Sequence, residues 1–267
     1  MPRFKEKMGK RGVYLLPSLF TTMGLFAGFY SLVASIQGNF ELAAWSILAA
    51  AVFDMLDGRV ARMLHAETEF GAEYDSLCDM LSFGVAPGVL VYMWALINLG
   101  PDLHKLAWLG GFFVVACAAI RLARFNVHHE QEDKRYFQGL PTPGAALFIA
   151  TAVLYHVKAH AEPWPWLWLA LALILSWLMV SNVRFFAGKD VDLKQRHSTS
   201  MLVIMIAVMG LMALDPYRVP FGVMFLYIAS GPALSLWQGR RLAELRMKRK
   251  LRKKKASSVS GSDSSES

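Results

Sequence analysis

Asp54, Asp57, Asp75 and Asp79 stand in a stretch that otherwise reads as membrane. An isolated Asp at the centre of a transmembrane helix costs about 2.5 to 3.5 kcal/mol to insert, so such residues are rare and mark functional sites. Four together require water and cations to meet them. Asp54 and Asp57 are three apart and Asp75 and Asp79 four apart, so each pair shares one face of its helix. Two such helices facing each other form a compact all-oxygen cage, the ligand set that hard divalent cations prefer. The chain has no Walker loop, no Rossmann glycine pattern and no Cys/His zinc spacing.

The elements that carry these residues belong to a membrane protein. The 267-residue chain is 55% hydrophobic with a mean hydropathy of +0.36, more apolar than soluble domains of this size. Apolar runs long enough to cross a bilayer recur, and segments that are apolar all round need lipid or protein on every side. The expected fold is all-α, a polytopic integral membrane bundle of about eight transmembrane helices: 14–36, 40–61, 76–98, 105–125, 141–158, 163–183, 199–214 and 219–238. With eight spans, 25 of the 28 Lys and Arg residues fall on one side, leaving only Lys105, Lys158 and Arg218 on the other. The positive-inside rule then puts both termini and the four aspartates in the cytoplasm. The charged N-terminus leads into a full span, so no cleavable signal peptide is expected.

Three regions follow: a basic cytoplasmic N-terminus (1–13), a transmembrane catalytic domain (14–238) and a cytoplasmic tail (239–267). The tail holds ten basic residues between Arg240 and Lys255, directly after a span. Such clusters attract anionic lipid headgroups, at about 1 kcal/mol per basic residue near the surface. The net charge of +8 thus points to a bilayer with anionic lipids. No aromatic platform accompanies the run, so no nucleic-acid partner is expected. Ala256 to Ser267 is Ser-rich and acidic and reads as disordered. Cys78 and Cys117 read as small packing residues, and Trp164, Trp166 and Trp168 as an aromatic belt at the far membrane surface.

The full pattern is Asp-x2-Asp-Gly-x2-Ala-Arg-x8-Gly-x3-Asp-x3-Asp, eight identities across 26 positions. It resembles the signature of the CDP-alcohol phosphotransferases, membrane enzymes that exchange CMP for an alcohol on a phospholipid phosphate. The resemblance implies that Asp54, Asp57 and Asp75 are the principal metal ligands. It implies that Asp79 is the general base and touches a second metal, with two ions in all, Mg2+ or Mn2+. It also implies a homodimer. Beside that resemblance, small Gly58 and Ala61 on the Asp54/Asp57 face let a nucleotide approach closely. Gly71 permits a tight helix start or close backbone packing. Arg62 offers a guanidinium fork to a diphosphate. These four, with Asp57 and Thr21 of the first span, form the expected CDP-lipid site. The first span, Leu16-Pro-Ser-Leu-Phe-Thr-Thr-Met-Gly-Leu25, departs from the family pattern: Ser18 and Gly24 stand where Asn is usual.

Two further segments narrow the acceptor. Arg121-Leu-Ala-Arg-Phe-Asn126 and Phe137-Gln-Gly-Leu-Pro-Thr-Pro143 resemble the phosphatidylserine synthase branch, with a weaker match at Met179-Val-Ser181 and Phe185-Phe186. That resemblance implies CDP-diacylglycerol and L-serine as substrates, and a site facing the cytoplasm in a bacterial inner membrane. Serine carries a carboxylate, which Arg121 or Arg124, three apart on one helical face, can pair by a bidentate contact. Asn126 is the third candidate serine ligand. The rival readings are another acceptor (glycerol phosphate, an inositol phosphate or choline) and, from a different class, a divalent-cation transporter.

Overall fold

The computed structural model describes residues 2–64, 68–128, 136–186, 210, 214–233 and 235. Its helices are α1 (Pro2–Ile36), α2 (Phe40–Leu64), α3 (Glu69–Asp79), α4 (Ala86–Trp94), α5 (His104–His128), α6 (Thr142–Lys158), α7 (Pro165–Val180) and α8 (218–233). A π-helical turn, Met80–Val85, joins α3 to α4 without a break, so the third expected span is one rod of three pieces. Among the described residues, the segments Ser18–Ile36, Glu69–Leu99 and Pro101–Val127 are long and apolar enough to cross a bilayer. Helix α7 is apolar but only 16 residues long. Helix α2 has the length, but Asp54, Asp57, Arg59 and Arg62 crowd its last third. The expected seventh span, 199–214, lies almost wholly outside the described residues, as does the tail.

Small residues set the packing. Helix α1 turns Thr21, Gly24, Gly28, Ser31 and Ser35 inward, a 3–4 periodic stripe with no large side chain. Helix α2 answers with Ala43, Ile47 and Ala50, each at most 1% exposed. Small residues let membrane helices approach closely where no hydrophobic effect drives them together. Helix α2 packs in turn on α6, while α5 packs on α4 and α7. Gly88 and Gly111 bring the α4 and α5 backbones into contact: a Cβ on Gly88 would lie 2.9 Å from the Gly111 carbonyl oxygen.

One feature departs from an all-helical plan. Strands β1 (Tyr136–Gln138) and β2 (Arg184–Phe186) form a short antiparallel ribbon, Tyr136 facing Phe186 and Gln138 facing Arg184. Gly139 follows β1 with φ of +81°, and a Cβ there would lie 2.4 Å from the Met179 carbonyl oxygen, so the turn needs glycine twice over. The expected aromatic belt also divides. Trp164 and Trp166 face outward, but Trp168 is buried against the His156 ring, one turn deeper in α7 than an interfacial position allows.

Candidate active site

The inward stripe of α2 does not end at Ala50. Steps of four and three carry it through Asp54 and Asp57 to Ala61, so the packing that buries the alanines also turns both carboxylates into the bundle. Helix α3 brings Asp75 and Asp79 to the same place. Carboxylate oxygens of Asp54, Asp57 and Asp75 all lie within 4.8 Å of one another. These three and Asp79 line a cavity of about 10 Å³, with Thr21, Gly24, Ala50, Cys78, Ser82 and Phe83 completing the wall. That volume holds one water-sized or ion-sized guest.

Asp57 is 6% exposed, and its Oδ2 is buried with no hydrogen-bond partner. The Thr21 hydroxyl is its hydrogen-bonding neighbour from α1. A buried carboxylate oxygen without a donor is strongly unfavourable unless a positive charge meets it. Three converging carboxylates with an orphaned oxygen therefore fit a divalent cation, and the donor set is the oxygen set that Mg2+ and Mn2+ take. A larger cavity, about 550 Å³, opens at the opposite end of the bundle between Gln37–Glu41 and His156–Glu162. It contains none of the signature residues.

The remaining nucleotide-side candidates occupy the mouth. A Cβ at Gly58 would meet nothing within 4 Å, so the space beside that helix face is open. Arg62 is exposed, and its Nε donates to the Gly58 carbonyl at 2.8 Å. Gly71 lies in the first turn of α3, where its N–H donates to the capping Thr68 hydroxyl at 3.0 Å. Gly71 serves the tight start of α3.

The three acceptor-side candidates diverge. Arg121, 9% exposed, donates from Nη1 to the Thr142 hydroxyl at 2.7 Å and lies 6.0 Å from the Phe125 ring centre. Arg124 donates to Gln138 Oε1 on β1, to Asn182 Oδ1 at 2.9 Å and to the Val180 carbonyl at 3.4 Å, which clasps the ribbon to the end of α7. Asn126 donates to the Ser76 hydroxyl at 3.0 Å and so reaches the residue after Asp75. Sequence reasoning missed Ser76, Tyr74, Thr22 and Ser82, all of which hold the carboxylate-bearing elements.

Residues 14–166 match the family described as CDP-alcohol phosphatidyltransferase, and that stretch contains every aspartate of the cavity. The chain belongs to this family.

Within the family, the chain is 33% identical over 221 residues to the CDP-diacylglycerol–serine O-phosphatidyltransferase of Helicobacter pylori, covering 82% of this chain and 90% of that one. It is 28% identical over 233 residues to the protein of the same name in Mycobacterium tuberculosis, covering 84% and 80%. An archaetidylserine synthase of Methanothermobacter thermautotrophicus is 38% identical over 144 residues, covering 52% and 58%. Three of the four cavity aspartates lie at a separation that could hold a cation.

Proposed function

We propose that this protein transfers the phosphatidyl group of CDP-diacylglycerol to the hydroxyl of L-serine, forming phosphatidylserine and CMP in phospholipid biosynthesis. The observation that carries the chemistry is the convergence of Asp54, Asp57 and Asp75 around the orphaned Asp57 oxygen. The serine acceptor is supported by the names of relatives aligned over more than four fifths of the chain.

Asp54, Asp57 and Asp75 would hold the divalent ion, and Asp79 a second. A divalent cation held there would neutralise the diphosphate and polarise the phosphoryl centre. The chain's own groups supply position and proton transfer. Open space beside Gly58 and Ala61 admits the nucleotide, and Arg62 at the mouth meets the diphosphate. Asp79 takes the proton from the serine hydroxyl. The serine oxygen then forms its bond to the lipid-bearing phosphorus as the bond from that phosphorus to the CMP oxygen breaks, in line, and CMP leaves with the electron pair. Chemistry of this kind rests on positioning and charge neutralisation. Arg121, bonded to Thr142, and Arg124, bonded to Gln138 and Asn182, are the candidate cations for the serine carboxylate.

The catalytic domain spans 14–238 in a bacterial inner membrane, eight helices with both termini and the site on the cytoplasmic side, acting as a homodimer. The tail from 239 lies on anionic lipid. The deciding experiment is CMP release from CDP-diacylglycerol by the purified protein, with a panel of acceptors, in Mg2+, Mn2+ or EDTA. Metal-dependent release that requires serine and yields phosphatidylserine is the expected result. Release with glycerol phosphate, inositol phosphate or choline in place of serine would keep the reaction class and reject the acceptor.

A further inference from the structure

Asp75 is carried by the least supported element of the site. Glu69, Phe70, Glu73 and Leu77 of α3 are all exposed, and only Cys78 is buried. Successive residues of a helix are about 100° apart around its axis, so even a partial rotation of α3 would swing Asp75 away from Asp54 and Asp57. The two residues that flank Asp75 in the chain are tied to opposite neighbours. On one side the Tyr74 hydroxyl meets the Thr22 hydroxyl of α1 at 3.0 Å. Thr22 spends its own hydrogen on the Ser18 carbonyl, 2.7 Å away, so Tyr74 is the donor and Thr22 the acceptor. The Tyr74 ring is stacked parallel on Phe70, 6.0 Å between centres and 4° between planes, which fixes the direction of its hydroxyl. On the other side Ser76 accepts from the Asn126 amide of α5 at 3.0 Å.

We infer that Tyr74 with Thr22, and Ser76 with Asn126, form a two-sided brace that sets the rotation of α3 and so places the Asp75 carboxylate against those of Asp54 and Asp57. The four are positioning residues, and the inference rests on the proposed reading of the aspartates as a cation site. Neighbours that orient metal ligands typically account for about 10- to 100-fold in metal affinity when removed.

The test is Mn2+ binding to the full-length protein in detergent, followed by electron paramagnetic resonance without substrates. Tyr74→Phe keeps the ring stack and loses one hydroxyl; Thr22→Val loses the acceptor. Each should weaken Mn2+ about 10- to 100-fold, and the double variant should be no worse than Thr22→Val alone, because both changes remove the same Tyr74–Thr22 bond. Thr22→Ser, which keeps the hydroxyl, should bind as wild type does. At saturating Mn2+ the KM for serine of Tyr74→Phe should stay within about twofold of wild type, a pattern that general destabilisation would not give. Wild-type Mn2+ affinity in both Tyr74→Phe and Thr22→Val, with binding lost in Asp57→Asn, would overturn the brace and keep the cation site. Wild-type affinity in Asp57→Asn would overturn the site itself. For the α5 side, Asn126→Ala with unchanged Mn2+ affinity and a raised KM for serine would remove Asn126 from the brace and return it to the serine pocket.

Discussion

Asp79 differs from the other three aspartates in its surroundings. It lines the same cavity, but it falls outside the group whose oxygens converge within 4.8 Å, and its carboxyl group is in hydrogen-bonding contact with that of Asp54. A carboxylate beside the cation set, and not central to it, has an oxygen left for the incoming hydroxyl. Asp79→Asn removes proton acceptance while keeping shape, so turnover should fall by about 100- to 10,000-fold, the usual worth of a positioned general base. CDP-lipid binding should change little. Parallel measurement of kcat and of CDP-diacylglycerol affinity checks this, and normal turnover would take Asp79 out of the base role. The aspartates were legible in the sequence because a carboxylate in an apolar run is costly, and because spacings of three and four put each pair on one face. The function of Arg124 was not. A cation at the end of a span reads alike whether it anchors, clasps or binds, and its partners Gln138 and Asn182 lie 14 and 58 residues further along the chain. The Tyr74–Thr22 bond, across 52 residues, was hidden for the same reason.

Among the elements, the π-helical turn after Asp79 is held by contacts with α1. The Ser82 hydroxyl donates to the Gly24 carbonyl at 3.2 Å, and the Ser82 backbone sits against Gly28. A Cβ at Gly28 would lie 2.3 Å from Ser82 Oγ and 2.8 Å from Ser82 Cα, so no rotamer change alone relieves it. Gly28→Ala should destabilise the protein by about 1 to 3 kcal/mol through overpacking, and should lower activity by moving the turn that follows the base. Thermal unfolding in detergent reads the first effect and CMP release the second. Adding Ser82→Gly, which removes the Cβ and Oγ contacts and leaves the Cα one, should restore part of both. Sequence periodicity predicted a span over 76–98 and could not show this turn. The segment Met80-Leu-Ser-Phe-Gly-Val85 has no alternation or spacing that marks a wider winding, and in the structure it lies against α1 through Ser82. Insertions of this kind recur at functional sites. The ribbon was equally hidden: strands of three residues are too short for an alternating pattern, and their pairing is fixed from outside by Arg124.

Over the whole molecule, the two ends differ in chemistry. The acidic cavity, Arg62 and the ribbon occupy one end. At the other, Tyr217 donates to Glu41 at 2.9 Å, Lys158 lies over the Tyr217 ring at 5.2 Å, and Trp164 faces outward, as interfacial tryptophans do. Asp215 caps α8 there, accepting from the backbone N–H groups of Tyr217 and Arg218, which holds its carboxyl below the usual range. With the eight spans expected from the sequence, three basic residues would fall at this end and 25 at the other. That asymmetry is an expectation of the sequence alone, because it depends on the span count and not on packing. It commits the fold to a sidedness that can be measured. Cys78 and Cys117 are buried, so background labelling by a maleimide should be low. In intact expressing cells, a membrane-impermeant maleimide should label Glu162→Cys, in the loop between α6 and α7. It should label Ser258→Cys, in the tail, only after permeabilisation. An even number of spans with the site inside requires that pair of results together. Labelling of both positions from outside would mean an odd count, and the reverse pattern would turn the acidic cavity away from the cytoplasm, where soluble serine and the departing CMP have to be exchanged.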